Sequence, residues 1–286
     1  LSFIQRQMMR RSGLEFQDVL DLAKTRCFGQ ELVIANNTGS NDPRGRLEQL
    51  RMMSGAATPP FKPLTESLCF RLQSFLRLQA KLKWSTRQLD SAVACFYNRE
   101  LGTGRGLLRE HPQPSLITPF VVQSIGSLLQ LSKLSYIDAP LLLPLWRDLD
   151  WSDVKPLLHP KYFTHPTRVD QDNGQYILEG DRTVALNTLG VALAAALKWP
   201  TEFIDDLLAA TGLEEADLTI SSPSTLYRHA LLCRILDIAP SQSATFFRQL
   251  FAMTKEDPFG NPMSTVKVIE QWKRGFGEGW TLESLD

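Results

Sequence analysis

The chain has 286 residues, and its 31 basic and 31 acidic side chains give a formal net charge of zero. Proteins that depend on phosphate contacts carry a basic excess, so this balance argues against nucleic-acid binding. The 43% hydrophobic and 22% charged residues match globular proteins and exclude disorder over the whole chain. No run of about 18 apolar residues predicts a membrane span.

The start of the chain indicates a piece of a longer protein. It begins with Leu1, and residues 1–11 do not resemble a secretion signal. We predict two regions, residues 1–63 with N-terminal helices and an exposed loop, and residues 64–286 as the main helical body. The cysteines are widely spaced without a CxxC pair, and we expect them to be reduced: Cys27, Cys69, Cys95 and Cys233.

Helical periodicity dominates the chain from residue 64 onwards. Residues 64–83 place Leu68, Leu72 and Phe75 on one face and basic residues on the other, which predicts an amphipathic helix. Further helices are predicted at residues 118–132, 185–198 and 224–238, and after Asn261-Pro262, with Gly275 as the last stop. The helix at 224–238 is apolar on most sides, so we expect it to be central and buried.

A short corner recurs between these helices: a large apolar residue, then a capping residue, then a new helix. Six segments have this pattern: residues 12–15, 83–86, 133–136, 198–201, 237–241 and 279–281. Three pairs have capping-box spacing, the third loosely: Ser12 with Glu15, Ser85 with Gln88, and Ser135 with Asp138. The uneven distances between corners are unlike a short-period solenoid repeat.

Three corners carry a tryptophan in the same relative place: Trp84, Trp199 and Trp280. We predict that these are structural corner residues that pack against the joint, in preference to a platform for a ligand. A buried packing residue predicts that Trp84→Ala costs about 3–5 kcal/mol. An exposed platform predicts a change within about 0.5 kcal/mol and a loss of binding.

Three loop-rich segments interrupt the helices, at residues 35–63, 99–115 and 159–181. Asn173-Gly174 is a hairpin-type turn between residues 167–169 and 176–178, which are able to pair as short strands. Residues 31–35 are another candidate strand. The sequence therefore predicts an all-α fold, an irregular stack of helix-corner-helix units with long loops and minor short β-strands.

The search for chemistry finds no catalytic, cofactor-binding or metal-binding set. The glycines at residues 102–106 have GxGxG spacing after a helix, which favours a flexible loop over a phosphate site. His159 and His165 precede prolines, and with Asp170 and Asp172 they match no metal-ligand spacing. His229 lacks a nucleophile motif and is better explained as a hydrogen-bonded structural histidine.

Two stretches are charged with one sign only. Residues 199–227 hold six acidic residues and no lysine or arginine, and residues 71–87 hold five basic residues and no acidic one. Two interpretations stay open: each is a solvated helix face, or the two faces meet across a subunit contact.

Five segments, in order along the chain, resemble the A component of bacterial Tc toxin complexes. They are residues 12–26, 76–90, 133–146, the TLYRHALLCR stretch at 225–234 and the DPFGNP stretch at 257–262. The family's long pore-forming helices and stretched linker have no counterpart here. The chain is therefore similar to part of the α-helical shell around the translocation channel.

The resemblance implies a structural, non-enzymatic role in a secreted virulence factor of the insecticidal, pore-forming class. Such subunits form homopentamers, bind the host-cell surface, insert a channel into the membrane and pass a separate cytotoxic component through it. The expected partners are thus copies of the same subunit and the other toxin subunits, with no nucleic acid and no cofactor. The alternative is a stand-alone helical scaffold for protein–protein interaction.

Overall fold

The computed structural model describes residues 9–10, 13–28, 31–36, 50–54, 63–100, 117–149, 167–169, 176–178, 182–183, 185–219, 221–253 and 256–277. Within these residues the chain is mostly helical, which confirms the predicted all-α fold. None of the described helices is long and apolar enough to cross a lipid bilayer.

The α-helices follow one another through short joints and 3₁₀ turns. In chain order they are α1 (Phe16–Leu22), α2 (Glu66–Leu82), α3 (Thr86–Glu100), α4 (Pro119–Ser135), α5 (Gly190–Leu197), α6 (Ile204–Thr211), α7 (Ser221–Leu236), α8 (Ser243–Met253) and α9 (Pro262–Gly277). The 3₁₀ helices are Ala139–Leu145, Leu186–Leu189, Thr201–Phe203 and Pro240–Gln242. The predicted stop at Gly275 is wrong, because α9 continues through it to Gly277.

The β-structure is limited to two small antiparallel sheets in the described residues. β1 (Leu32–Asn36) pairs with β2 (Leu50–Ser54), and β3 (Thr167–Val169) pairs with β4 (Tyr176–Leu178), which also pairs with β5 (Arg182–Thr183). The strands predicted near residues 31–35, 167–169 and 176–178 are confirmed. β2 is a correction, since it falls in the segment 35–63 that the sequence predicts as exposed loop, and Met52 within it is buried.

The contacts between residues group the chain into two units, Leu1–Ile125 (unit 1) and Gly126–Asp286 (unit 2), with the division inside α4. The predicted division after residue 63 stays a prediction. In unit 1, α2 begins at Thr65, whose hydroxyl oxygen accepts a hydrogen bond from the amide of Leu68 at 3.2 Å. Its buried side chains recur every three or four residues, as expected for one apolar stripe: Leu68, Leu72, Phe75 and Gln79.

The core of unit 2 forms around α7. All of its residues from Leu226 to Cys233 are buried, which confirms the prediction of a central helix. α7 packs against the 3₁₀ helix Ala139–Leu145 and against α5 and α6. A helix that is apolar on nearly every side must be surrounded in this way, so the position of α7 follows from its composition.

Candidate functional site: the helix corners and the motif cluster

The predicted corners share one backbone conformation. At six joints in the described residues, the residue after the helix has a positive φ and is followed by a large apolar residue. The pairs are Gly13-Leu14 (φ 69°), Lys83-Trp84 (57°), Tyr136-Ile137 (56°), Lys198-Trp199 (58°), Gly212-Leu213 (67°) and Asp237-Ile238 (60°). Four of these positive-φ residues are not glycine, although side chains with a Cβ disfavour this conformation.

Backbone hydrogen bonds close the joints. The amide of the apolar residue donates to a carbonyl five residues earlier in three of them: Trp199 to Ala194 (3.0 Å), Leu213 to Leu208 (2.9 Å) and Ile238 to Cys233 (2.9 Å). This is the bond of the Schellman motif, which satisfies carbonyl groups left free at the end of a helix. At Lys83 the simpler form occurs, with its amide donating to the carbonyl of Gln79 at 2.8 Å.

The capping boxes agree with the sequence at one corner and shift at the others. Ser85 and Gln88 form both reciprocal bonds, at 2.9 and 3.2 Å, as predicted. At the first corner the box joins Glu15 and Asp18, one turn later than the predicted Ser12 and Glu15.

At the third corner, the predicted turn at residues 133–136 is also displaced. Ser135 is still helical, and its hydroxyl donates to the carbonyl of Leu131 at 2.8 Å. The positive-φ residue is Tyr136 and the apolar residue is Ile137, three positions after the predicted Leu134. Leu134 and Ile137 are separated by almost one helical turn, so their side chains satisfy the same pattern.

The predicted corner tryptophans are not fully buried. Trp84 and Trp199 are half-buried, and Trp280 lies outside the described residues. Their role as structural corner residues stays a prediction. Two other tryptophans, Trp146 and Trp272, are buried in unit 2, where the corner pattern does not point to them.

The corner at Trp84 adjoins a cavity in unit 1. Its volume is about 350 Å³, and it lies between the N-terminal end of α1 and the last turns of α2. The lining residues are Leu14, Asp18, Leu76, Gln79, Ala80, Lys83, Trp84 and Ser85. The chain thus places one corner tryptophan beside open space and not inside a filled core.

In unit 2, three separate sequence motifs meet at one hydrogen-bonded cluster, here called the motif cluster: residues 140–149, 224–229 and 257–265. Trp146, fully buried, donates from its indole Nε1 to the hydroxyl oxygen of Thr265 at 2.9 Å. The hydroxyl of Thr265 in turn donates to the carbonyl of Pro258. One hydroxyl therefore joins the 3₁₀ helix Ala139–Leu145 to the DPFGNP turn.

A buried ion pair fixes the second contact of the motif cluster. Arg228 has none of its side chain exposed, and its Nη2 donates to Asp148 Oδ1 at 2.9 Å and to the carbonyl of Arg147 at 3.3 Å. The Nε and Nη1 atoms of Arg228 have no hydrogen-bond partner. Next to it, the amide of Leu149 donates to Ser224 Oγ at 2.9 Å.

His229 provides the third contact. Its Nδ1 lies 2.7 Å from the carbonyl oxygen of Thr225, and since a carbonyl only accepts, Nδ1 is the donor. The imidazole packs edge-on against Phe247, with ring centroids 4.6 Å apart, and against Phe259 of the DPFGNP turn at 4.7 Å. The histidine is thus a packed, hydrogen-bonded residue of the core.

The thiols offer little nucleophilic chemistry. All four cysteines are unpaired, and only Cys69 is exposed. Burial raises the pKa of the Cys233 thiol to about 12. Burial, and then the Asp90 carboxylate, raise the pKa of the Cys27 thiol well above its usual value; Asp90 also accepts a 2.9 Å bond from the Cys27 amide. Both thiols are therefore protonated near neutral pH and unreactive.

The remaining candidates have simple positions. The glycines at residues 102–106 and the histidines His159 and His165 lie outside the described residues. Among the described ones, no group of three or more His, Cys, Asp or Glu side chains is arranged to hold a metal ion. On the two charged stretches, the side chains of Glu202, Asp205 and Asp206 are exposed, as are those of Arg77 and Lys81, so both interpretations of these faces stay open.

Comparison with protein families, with curated proteins and with solved structures finds no match for this chain.

Proposed function

We propose that the chain is an α-helical shell segment of a pore-forming subunit that delivers a separate cytotoxic component into host cells. In this role it has no catalytic residue. The proposal rests on the resemblance to the A component of Tc toxin complexes and on the way in which the resembling residues pack.

The motif cluster is the observation that carries the proposal. Three of the five resembling segments lie in unit 2, and their residues contact one another through Trp146–Thr265, Arg228–Asp148 and His229–Phe259. The resemblance is therefore concentrated in side chains that set how helices pack. A likeness in such residues supports a likeness in helix arrangement, which is the property a shell requires.

The proposal also implies partners and a location. The full-length subunit assembles as a homopentamer, is released from the bacterium and acts at the host membrane. Other parts of that subunit contact the host surface and the further toxin subunits.

The test uses the full-length protein that contains this chain. We expect mass photometry to give the mass of five subunits, electron microscopy to show a five-fold shell, and planar lipid bilayers to record single-channel conductance. Helices with the corners described here should lie in the wall of that shell. A stable monomer without channel activity contradicts the proposal and favours a stand-alone interaction scaffold.

A matched pair of variants then addresses the motif cluster. Arg228→Met removes the charge that pairs with Asp148, whereas Arg77→Met removes an exposed charge on α2. We expect the first to reduce the yield of assembled pentamer and the second to leave it unchanged. Equal assembly of both variants would separate the motif cluster from shell formation.

A further inference from the structure

The cavity beside Trp84 has the size of a small-molecule site. Its volume of about 350 Å³ lies within the range of about 300–1,000 Å³ that ligand pockets occupy. All of its lining residues belong to unit 1, from the N-terminal end of α1, the last turns of α2 and the corner that follows.

The lining combines an apolar wall with polar groups of both kinds. The apolar side chains are Leu14, Leu76, Ala80 and the indole of Trp84. The polar side chains are Asp18, Gln79, Lys83 and Ser85. Ligand sites typically have this composition, a mostly apolar surface with a few polar groups that fix orientation.

The two charged groups are available to a ligand. Asp18 uses Oδ2 to accept a bond from the amide of Glu15 at 3.0 Å, and its Oδ1 has no partner. Lys83 is exposed and makes no side-chain hydrogen bond or ion pair, including none with Asp18. The cavity therefore presents a carboxylate and an ammonium group that do not neutralise each other.

Gln79 adds an independent sign that a donor is missing. Only 7% of this residue is exposed, and its Nε2 donates to Thr86 Oγ1 at 3.1 Å. The amide oxygen Oε1 is buried without a hydrogen-bond partner. Buried acceptors are nearly always paired, so an unpaired one in a cavity wall indicates that a donor occupies the site.

We propose that this cavity binds a free α-amino acid with an apolar side chain. The ammonium group of the amino acid pairs with Asp18 and supplies a donor beside Gln79. Its carboxylate pairs with Lys83 and accepts from the Ser85 hydroxyl, and its side chain packs on Trp84. No simpler molecule carries both charges next to an apolar body. This inference is independent of the proposed shell function.

The test is calorimetric titration of the chain with L-leucine and with two halves of that molecule. One half, 3-methylbutan-1-amine, lacks the carboxylate, and the other, 4-methylpentanoate, lacks the ammonium group. We expect saturable binding of leucine with a Kd of about 1 mM or lower, and binding at least about tenfold weaker for each half. Absence of saturation by leucine, or equal binding of either half, overturns the proposal.

Variants assign the two charges. Lys83→Asn removes the ammonium group, and asparagine tolerates the positive φ at this position. It should weaken leucine binding about tenfold and leave the affinity for 3-methylbutan-1-amine unchanged. Asp18→Asn should weaken leucine and leave 4-methylpentanoate unchanged.

Lys198→Asn is the matched control, since Lys198 has the same backbone conformation at a corner of unit 2. It should leave the affinity for all three molecules unchanged. Unchanged leucine binding by Lys83→Asn, or an equal loss in Lys198→Asn, overturns the assignment.

Discussion

Arg228 places a guanidinium group in the core of unit 2, where only Asp148 balances its charge. Removing one partner of a buried ion pair leaves the other charge in a medium of low polarity, which is more costly than the pair is worth. The side chain of Asp148 is 20% exposed, whereas that of Arg228 is not exposed at all. The two partners are therefore unequal, and the loss of the carboxylate is the more damaging change.

We expect Asp148→Ala to lower the free energy of unfolding by about 3 kcal/mol, because it leaves Arg228 without its counter-charge. Arg228→Met, which removes the buried charge and fills a similar volume, should cost clearly less. Urea unfolding followed by circular dichroism measures both. A smaller loss for Asp148→Ala than for Arg228→Met would contradict this account of the pair.

The buried thiol of Cys233 predicts a loss of stability in alkali. Its pKa is raised to about 12 in the folded chain, whereas an unfolded cysteine titrates near 8.5. The folded state thus holds its proton where the unfolded state releases it. Stability is complete below about pH 8.5 and falls by roughly 1.4 kcal/mol per pH unit between there and pH 12.

Urea unfolding between pH 8 and pH 10 measures this slope, and Cys233→Ala should reduce it. Cys69→Ala is the control, since Cys69 is exposed and should leave the slope unchanged. An identical slope in the Cys233→Ala variant would show that another group causes the alkaline loss.

At the scale of the helical elements, the corners depend on backbone conformation more than on the residue that adopts it. Tyr136 is 97% exposed and contributes little burial, yet it holds a φ of 56°. Gly212 has a similar φ of 67°, and a Cβ placed there would meet no atom within 4 Å. The two positions therefore isolate the cost of the positive φ from the cost of lost contacts.

Tyr136→Gly should raise the free energy of unfolding by about 1 kcal/mol, because glycine adopts positive φ without the Cβ penalty. Gly212→Ala should lower it by a similar amount, about 1 kcal/mol. Thermal unfolding of the two variants tests the pair. Destabilisation by Tyr136→Gly would mean that the exposed ring makes a contact that this conformation exists to provide.

The half-buried position of Trp84 changes the expected size of its effect. A fully buried tryptophan is worth about 3–5 kcal/mol, so we expect Trp84→Ala to cost about 2 kcal/mol. Trp146→Ala, at a fully buried site with a hydrogen bond to Thr265, should reach the full range of about 3–5 kcal/mol. An unchanged melting midpoint for Trp84→Ala rejects its role as a structural corner residue.

The sequence predicts most of the corners because their signals are local. A helix end, an apolar residue and a cap occur within about six residues, and the pattern repeats. The errors arise where two residues compete for one role, as Leu134 and Ile137 do. The Gly212-Leu213 corner has the same pattern as Gly13-Leu14 and was available to the same reasoning.

Contacts between distant residues were beyond this reasoning. β2 alternates weakly and is stabilised by pairing with β1, from which the turn-rich segment separates it in the sequence. The cavity beside Trp84 depends on how far α1 lies from α2, which no local pattern specifies. Likewise, the sequence indicates that His229 is structural but does not indicate that Phe259 packs on it.

At the scale of the whole molecule, helix dominates the described residues, and strands are short. Far-UV circular dichroism of the chain should therefore give a spectrum dominated by α-helix. A spectrum in which strand exceeds helix would contradict the fold.

The bond between Trp146 and Thr265 has a consequence for synthesis on the ribosome. The two residues are separated by 119 positions, whereas each corner closes within a few residues of its helix. At the usual rate of about 5–20 residues per second, Trp146 leaves the ribosome roughly 6–24 s before its partner exists. During that interval the nascent chain has finished joints but an open apolar centre, which is the surface that chaperones bind. Delay or truncation before residue 265 should therefore cause aggregation sooner than any change at the corners.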